Sequence, residues 1–243
     1  MRVAFWNIHK MTRCVPAPAF VAQTLLSAEA DVICLTEYVT DPALMQALAA
    51  GYHVAESRTV TGNQVLLAVR RTFAPDGIRI VAADELPDSC NLLHITFDRE
   101  DGRPLDVLGI RMLSPMRGEV RVPPLRRALD ALDGSFLCMG DFNIHAYRMS
   151  YWFPKIRRGR MADSRAFSYV FTGKETHRIT GTGTIDHLLL SDDMDAVVSC
   201  DWGYTALDPR YPGTPPLPVG TDWRIPVGLP DHALMTAEIT DVT

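Results

Sequence analysis

Ser135-Phe136-Leu137-Cys138-Met139-Gly140-Asp141-Phe142-Asn143 is the stretch that says most about this chain. Its apolar residues are typical of a buried β-strand over Ser135–Gly140, and a carboxylate and an amide follow directly. Active sites commonly lie where strands stop and loops begin. Asp141 and Asn143 are therefore candidates for chemistry.

Four other apolar strands adjoin polar side chains of the same kind. Their polar residues are Asn7, Glu37, Asp186 and the pair Asp231-His232. Each is weak evidence alone, because Asp and Asn at strand ends are turn formers roughly three times as often as ligands. Together they form an oxygen-rich set that suits Mg²⁺, Mn²⁺ or Ca²⁺ better than zinc. A hard divalent ion, a histidine and amide donors are what hydrolysis of a phosphate ester needs.

Apolar runs of strand length recur along the whole chain, with helical patterns between some of them. Helical spacing predicts helices over Pro18–Ala30, Asp41–Ala50 and Leu125–Leu132. Besides Arg2–Trp6, Asp31–Glu37 and Ser135–Gly140, strands are predicted at Tyr52–Ser57, Val65–Arg70, Ile78–Ala83, Leu92–Phe97, Leu105–Arg111, Ile185–Leu190 and Ala233–Ile239. Seven prolines between Pro209 and Pro230 predict a long extended loop. No linker divides the chain, so we expect a single α+β domain over residues 1–243.

Composition is that of an ordinary folded protein of 243 residues, with 47% hydrophobic and 22% charged residues. This excludes a disordered, collagen-like or disulfide-scaffold chain. The net charge of -5 excludes a global cationic field, although not a local basic patch. No apolar run approaches the roughly 20 residues of a membrane span. The five cysteines form no CxxC pair, and no leader pattern precedes the first strand, so a cytoplasmic protein with reduced cysteines is expected.

The motifs, taken in order, resemble those of the endonuclease/exonuclease/phosphatase superfamily. The segments that carry the resemblance are Trp6-Asn7-Ile8, Leu35-Thr36-Glu37, Gly140-Asp141-Phe142-Asn143, Thr184-Ile185-Asp186-His187 and Pro230-Asp231-His232. That family includes deoxyribonuclease I, abasic-site endonucleases, neutral sphingomyelinases and inositol-polyphosphate 5-phosphatases. The resemblance implies a four-layered α/β/β/α sandwich of the deoxyribonuclease I type, and Mg²⁺- or Mn²⁺-dependent cleavage of a phosphate ester.

The resemblance also implies a metal centre on three of these residues. Glu37 would be the principal ligand, with Asn7 beside it, and Asp231 would complete the acidic cluster. A cluster of carboxylates without a cation repels itself, which is an independent reason to expect a metal.

The catalytic roles that the resemblance implies fall on four further residues. Asp141 would orient or activate the attacking water, and Asn143 would donate to the phosphate. His232 would contact the phosphate or act as general base, with its tautomer fixed by Asp186.

Arg111 departs from the family pattern, in which a histidine or tyrosine ends the strand before Gly-Asp-Phe-Asn. An arginine can bind phosphate and stabilise charge in the transition state, but it does not act as an acid. Leaving-group protonation then falls to a water on the ion or to another residue, for which His145 is a candidate. An alternative is that Arg111 is a surface residue and the motif alignment slips by one or two positions.

A basic and aromatic segment between Tyr147 and Arg165 favours a nucleic-acid substrate. The residues proposed to bind it are Arg148, Tyr151, Trp152, Arg157 and Arg158. Cations suit the phosphate backbone and rings suit the bases. The rings can equally anchor the segment to the core while the arginines stay solvated, and both can hold together. A second basic run, Arg117, Arg121, Arg126 and Arg127, is better explained as an exposed helix face and its lead-in.

Two other functions remain open at this stage. One is a phosphatase or phospholipase C-type hydrolase of a small or lipid phosphate ester. His187 disfavours the inositol-phosphatase branch, which carries an arginine at that place. The other is a catalytically silent binding module on the same fold. Arg111 favours that possibility, whereas the joint presence of the acids and His232 argues against it.

Overall fold

A computed structural model of the chain describes residues 1–9, 16–58, 63–87, 89–112, 118–144, 167–171, 185–201, 230 and 232–242. Among these residues lie three helices and thirteen strands. They are β1 (Arg2–Asn7), α1 (Ala19–Ser27), β2 (Val32–Tyr38), α2 (Pro42–Ala49), β3 (Tyr52–Glu56), β4 (Gln64–Arg70), β5 (Arg79–Ala82), β6 (Glu85–Leu86), β7 (Cys90–Asp98), β8 (Pro104–Met112), α3 (Gly118–Asp130), β9 (Ser135–Asp141), β10 (Phe167–Phe171), β11 (Asp186–Ser191), β12 (Met194–Asp201) and β13 (Leu234–Asp241).

The strands form two mixed sheets. Sheet A has the order β12-β13-β1-β2-β4-β3, and sheet B has the order β10-β11-β9-β8-β7-β5, with β6 paired to β7. The pairs β1–β2 and β8–β9 are parallel, while the other pairs are antiparallel. The first and last strands of the described chain are neighbours in sheet A, so the two termini of the fold are tied together.

Alternation along the strands builds the core between the two sheets. Every second residue of a strand points to the same face, so one stripe of each strand is available for the partner sheet. Val3 and Phe5 of β1, Leu137 and Met139 of β9, and their counterparts in the neighbouring strands form one buried cluster. At Gly109 of β8 the sheets come so close that a Cβ would lie 2.6 Å from Val65 Cγ1.

Helices cover the outer faces of both sheets. Leu25 of α1 and Leu48 of α2 pack with Trp6 and other residues of sheet A, and Leu125 of α3 belongs to a second outer cluster on sheet B. Asp41 caps α2, because its Oδ1 accepts from the backbone N–H of Ala43 and Leu44 at 3.1 and 3.0 Å. The order of layers is helix, sheet, sheet, helix. The expected four-layered α/β/β/α sandwich is confirmed.

The structure differs from the sequence prediction at several places. Helix α3 begins at Gly118 rather than Leu125, so it contains Pro123 and Pro124, residues that usually break a helix. Arg121 is only 6% exposed, so the interpretation of its basic run as an exposed helix face and its lead-in is wrong for this residue. Strands β6, β10 and β12 were not predicted.

No helix in the described part of the chain has the length and apolar character needed to cross a bilayer. Apart from Pro230, the predicted proline-rich loop lies outside the described residues.

Candidate functional site

The inward-facing stripe of several strands ends in polar residues at one end of the sandwich. We call these six residues the polar layer: Asn7 and Thr36 of sheet A, and Asn91, Arg111, Asp141 and Asp186 of sheet B. All six but Arg111 are fully buried. The four sheet B residues lie in register across adjacent strands, Asn91 opposite Arg111, Arg111 opposite Asp141, and Asp141 opposite Asp186. Hydrogen-bonded sheet register therefore places residues from four distant segments side by side.

Asp141 and Asn143 form a tight turn at the end of β9. The backbone N–H of Asn143 donates to Asp141 Oδ1 at 2.9 Å, and Asn143 has a φ of 48°, a left-handed value. Asn143 Nδ2 donates to Asp141 Oδ2 at 3.1 Å and to the Met112 carbonyl at 2.9 Å. The preceding Gly140 is required because a Cβ there would lie 1.9 Å from the Ile110 carbonyl oxygen.

His232 meets both an acid and an amide of the polar layer. Its Nδ1 lies 2.8 Å from Asp186 Oδ2, and its Nε2 lies 3.4 Å from Asn7 Nδ2. Asn7 Oδ1 accepts from the His9 backbone N–H at 3.1 Å, which fixes the amide so that its NH₂ faces the histidine. This arrangement favours the tautomer with the proton on Nδ1 and an acceptor at Nε2.

Asn7 also joins the histidine to Asp141. Its Nδ2 donates to Asp141 Oδ2 at 3.2 Å. Trp6 Nε1 donates to the His232 carbonyl at 3.0 Å, which anchors the backbone of the histidine to β1. The side-chain amide of Asn7 thus contacts both His232 and Asp141, the two groups that acid–base catalysis would use.

A β-bulge turns Glu37 toward the polar layer. The register between β2 and β4 shifts between Leu35 and Tyr38, and Glu37 has a φ of 48°. Strict alternation would place Glu37 on the outer face with Leu35, whereas its Oε1 in fact accepts from Arg111 Nη2 of the opposite sheet at 2.6 Å. Bulges that redirect a side chain are common beside active sites, as is strained backbone.

Arg111 lies inside the site and contacts two carboxylates. Its Nε is 3.9 Å from Asp141 Oδ2, in addition to the contact with Glu37, and its side chain is 12% exposed. Nη1 donates to the Met112 carbonyl at 2.9 Å. The alternative that Arg111 is a surface residue is therefore wrong in this structure.

Burial and neighbouring charge govern the protonation of Asp141. Burial first, and the nearby Asp186 carboxylate second, raise the pKa of Asp141 to about 6, although the charges of His232 and Arg111 oppose the shift. A carboxyl group with a pKa near neutrality is suited to exchanging protons with water or substrate.

Three oxygen atoms of the polar layer are suited to binding a ligand. Within the described ranges, Thr36 Oγ1, Asn91 Oδ1 and Asp186 Oδ1 are buried with no hydrogen-bond partner. Carboxylate, amide and hydroxyl oxygens are the donors that a hard divalent cation prefers. Among the described side chains, no three from His, Cys, Asp and Glu are arranged to hold a metal, and Glu37 is engaged by Arg111. The carboxylate of Glu37 has the chemistry that such an ion prefers, while its present pairing with Arg111 opposes binding, and Asn7 Oδ1 accepts from the His9 backbone N–H.

The family model for the Endonuclease/Exonuclease/phosphatase family matches residues 4–241. The chain belongs to this family. The resemblance seen in the motifs is confirmed, and members of the family are hydrolases that act on phosphoester bonds. No curated protein sequence matches the chain.

Solved structures of several other proteins have the same fold. The human Nocturnin catalytic domain with bound sulfate is 14% identical with a TM-score of 0.64, and the match covers 100% of this chain and 94% of that one. D. rerio TDP2 in complex with a single-strand DNA product is 14% identical with a TM-score of 0.58, covering 99% and 98%. ANGEL2, described as a 2′,3′-cyclic phosphatase, is 14% identical with a TM-score of 0.61, covering 98% and 94%. At these identities the likeness shows the fold alone.

Several residues proposed from the sequence lie outside the described part of this family member. They are Asp231, His145 and the proposed substrate-binding residues Arg148, Tyr151, Trp152, Arg157 and Arg158. Of the other site residues, Asn7, Glu37, Arg111, Asp141, Asn143, Asp186 and His232 are brought together at one end of the sandwich.

Sequence reasoning missed two members of the polar layer, Thr36 and Asn91. Thr36 stood in a quoted motif but was given no role, and Asn91 is near the start of β7 rather than at the end of a strand. In an antiparallel sheet, the start of one strand lies beside the end of the next, so a search of both ends of each strand would have found Asn91. His187 faces the other side of sheet B, where its Nε2 lies 2.7 Å from the Ile144 carbonyl, and it packs edge-on against Phe142.

Proposed function

We propose that this protein is a Mg²⁺- or Mn²⁺-dependent phosphodiesterase that hydrolyses DNA or RNA. The observation that carries the proposal is the convergence of His232, paired with Asp186, and Asp141 on the single amide of Asn7. An acceptor nitrogen on a carboxylate-oriented histidine, beside a carboxyl with a raised pKa, is a constellation for moving protons during hydrolysis.

Each group has a role that its contacts support. Asp141 takes a proton from the attacking water, since its pKa near 6 makes it a better base than an ordinary aspartate. His232 presents Nε2 to the phosphate or to its leaving group, held in place by Asp186. Arg111 supplies fixed positive charge close to Asp141, where a phosphoryl oxygen gains charge in the transition state.

Glu37 and Asn7, with Asp231, are the residues that would hold the ion. When bound, a divalent ion supplies Lewis-acid polarisation of the phosphoryl group. Enzymes of the family generally use divalent metals, which supports this part of the proposal.

Nucleic acid is the substrate class that the available features favour. The basic and aromatic residues between Tyr147 and Arg165 offer cations for a phosphate backbone and rings for bases. A structure of the same fold, D. rerio TDP2, was solved with a single-strand DNA product. A small phosphate ester is the competing class, since ANGEL2 of the same fold is described as a 2′,3′-cyclic phosphatase.

The test is a substrate panel with a matched inactive variant. Supercoiled plasmid, end-labelled single-stranded DNA and end-labelled RNA are incubated with the full chain in Mg²⁺, Mn²⁺ or EDTA. His232→Ala, purified in parallel, reveals any contaminating nuclease. His94→Ala controls for the loss of a buried histidine, because His94 lies elsewhere in the fold, with its Nε2 at 2.7 Å from Asp106 Oδ1. We expect cleavage by the wild type and by His94→Ala that requires metal and is absent in His232→Ala. Turnover of a cyclic or terminal phosphate, with every polymer left intact, would overturn the assignment to nucleic-acid phosphodiesters.

A further inference from the structure

The principal metal ligand suggested by the sequence already has a cation bound to it. Arg111 Nη2 lies 2.6 Å from Glu37 Oε1, and the two side chains are only 12% and 10% exposed. At this distance and burial the contact is a charge-assisted hydrogen bond, which is stronger than an exposed ion pair. Glu37 reaches it only through the β-bulge and a left-handed backbone, so the local fold commits this carboxylate to the inside of the site.

A divalent ion and the guanidinium cannot both be close partners of the same carboxylate oxygen. An ion on Glu37 would lie within a few ångströms of the positive charge of Arg111, in a region where water screens poorly. Each cation therefore lowers the affinity of Glu37 for the other. The Nε of Arg111 lies farther away, 3.9 Å from Asp141 Oδ2, so Glu37 is the carboxylate for which the two cations compete.

We propose that Arg111 is a built-in counter-ion of Glu37 that competes with the divalent ion, and that metal binding displaces its guanidinium from this carboxylate. The inference rests on the proposed function only in taking Glu37 as a metal ligand. It gives the chain two states, one with Glu37 paired to Arg111 and one with Glu37 bound to metal and Arg111 free for another partner.

The surroundings offer Arg111 other partners once Glu37 is released. Nη1 already donates to the Met112 carbonyl, so the guanidinium stays anchored at the end of β8. Asn91 lies opposite Arg111 in the sheet, and in the described part of the chain its buried Oδ1 has no hydrogen-bond partner. Planar arginine also binds phosphate oxygens well, so a displaced guanidinium would be available to an anionic substrate.

The test measures Mn²⁺ affinity directly on the full-length chain, without a turnover assay. Calorimetric titration, with bound and free Mn²⁺ checked by electron paramagnetic resonance, compares wild type with Arg111→Met, Arg111→Gln and Arg111→Lys. We expect Mn²⁺ to bind about tenfold or more tightly when the charge is removed by Met or Gln, since a unit charge a few ångströms away is lost. Lys retains the charge and should stay within about threefold of wild type.

Two further variants test whether the change in Mn²⁺ affinity is specific to the Arg111–Glu37 pair. Arg103→Met removes an ion-paired arginine that directly precedes the other end of β8, and it should leave the Mn²⁺ affinity unchanged. Glu37→Gln should weaken Mn²⁺ binding and abolish the gain that Arg111→Met confers in the double variant.

Equal or weaker Mn²⁺ binding in both Arg111→Met and Arg111→Gln would overturn the proposal, as would a gain that survives Glu37→Gln or an absence of binding in every variant. Circular dichroism confirms that each variant is folded, and the Gln variant replaces the Met variant if the latter fails. A chain that binds Mn²⁺ as expected but cleaves no nucleic acid would refute the proposed function and leave this inference standing.

Discussion

Strand β8 carries an ion-paired arginine near each end, and the two ends differ in almost everything except that pairing. At one end Arg111 pairs with Glu37, with side chains 12% and 10% exposed. At the other end Arg103 pairs with Asp101 and Asp241, with side chains 52%, 45% and 38% exposed. An arginine–carboxylate ion pair is thus buried at the polar layer and exposed to solvent at the far end of β8.

The difference in burial indicates which ion pair should matter for stability and ligand binding. An exposed ion pair gains little, because water solvates both partners well when they separate. A buried pair is costly to break from one side, because the remaining charge loses its partner without gaining full solvation. The far end therefore resembles an ordinary surface network, whereas the pair at the polar layer leaves a poorly solvated charge when one partner is removed.

The largest effect should appear in catalysis at the polar layer. His232→Ala is expected to lower kcat/KM on the best substrate by ~10²–10⁴-fold, since it removes a positioned acid–base group. Steady-state kinetics at a temperature where the variant is folded measure it. His94→Ala, which removes a buried histidine with an aspartate partner elsewhere in the described part of the chain, should retain the wild-type rate. Equal losses in the two variants would show that fold stability, and not position in the site, decides activity.

The next effect concerns stability and separates the two arginines. Arg111→Met, in EDTA, should lower the free energy of unfolding by about 3 kcal/mol, because Glu37 is left buried without its partner. Urea denaturation followed by circular dichroism measures the change. A loss below about 1 kcal/mol would place Arg111 with the surface pairs and remove the contrast.

The two ends should also respond to pH with opposite sign. Burial raises the pKa of Asp141 to about 6, whereas hydrogen bonds from Arg99 and Arg103 hold the pKa of Asp241 below its ordinary value. A raised carboxyl pKa means that the folded state favours the protonated form. The contribution of Asp141 to stability is therefore present below about pH 4 and is lost as the pH rises through 6. The contribution of Asp241 is present above its ordinary pKa and is lost as the pH falls.

Unfolding free energies of wild type, Asp141→Asn and Asp241→Asn between about pH 2.5 and pH 7, in EDTA, test this contrast, because the Asp241 contribution changes below its ordinary pKa. The stability of wild type relative to Asp141→Asn should fall across this range by on the order of 3 kcal/mol, because the pKa rises by about two units and each unit corresponds to about 1.36 kcal/mol. The stability of wild type relative to Asp241→Asn should rise by a smaller amount. A common sign for the two variants would contradict the assignment of charge at the two ends.

The smallest effect is expected at the exposed pair itself. Arg103→Met should lower the free energy of unfolding far less than Arg111→Met does, and the loss should shrink as salt is raised. Thermal or urea unfolding at low and high ionic strength measures it. A salt-independent loss as large as that of Arg111→Met would show that exposure does not distinguish the two ends.

Much of the fold and part of the site could be predicted from the sequence because both follow from local patterns. Apolar runs marked most strands, and Asp-Pro marked the start of α2, where Asp41 is the cap. Strand ends marked Asn7, Asp141 and Asp186, since a strand that leaves the core must end on residues that tolerate solvent or a ligand.

What could not be predicted depends on pairing between distant segments. The bulge that redirects Glu37 arises from a register shift against β4, which no local pattern records. The place of Asn91 beside Arg111 follows from the alignment of β7 with β8. Strand β12 was missed because its solvent-facing residues, such as Val197 at 75% exposure, blur the apolar signal at a sheet edge. The first half of α3 was missed because Pro123 and Pro124 are usually helix breakers, and tertiary packing against sheet B outweighs them here.

The central claim is that the polar layer is a centre for phosphate ester hydrolysis. Initial rates of bis(p-nitrophenyl) phosphate hydrolysis in Mn²⁺, for wild type and Asp141→Asn side by side, test it most directly, since the variant keeps the shape of the side chain and removes its proton-accepting charge. We predict metal-dependent turnover by the wild type and a rate lower by ~10²-fold or more in the variant. Equal rates in the two proteins, or a wild-type rate no higher than that of buffer with Mn²⁺, would contradict it.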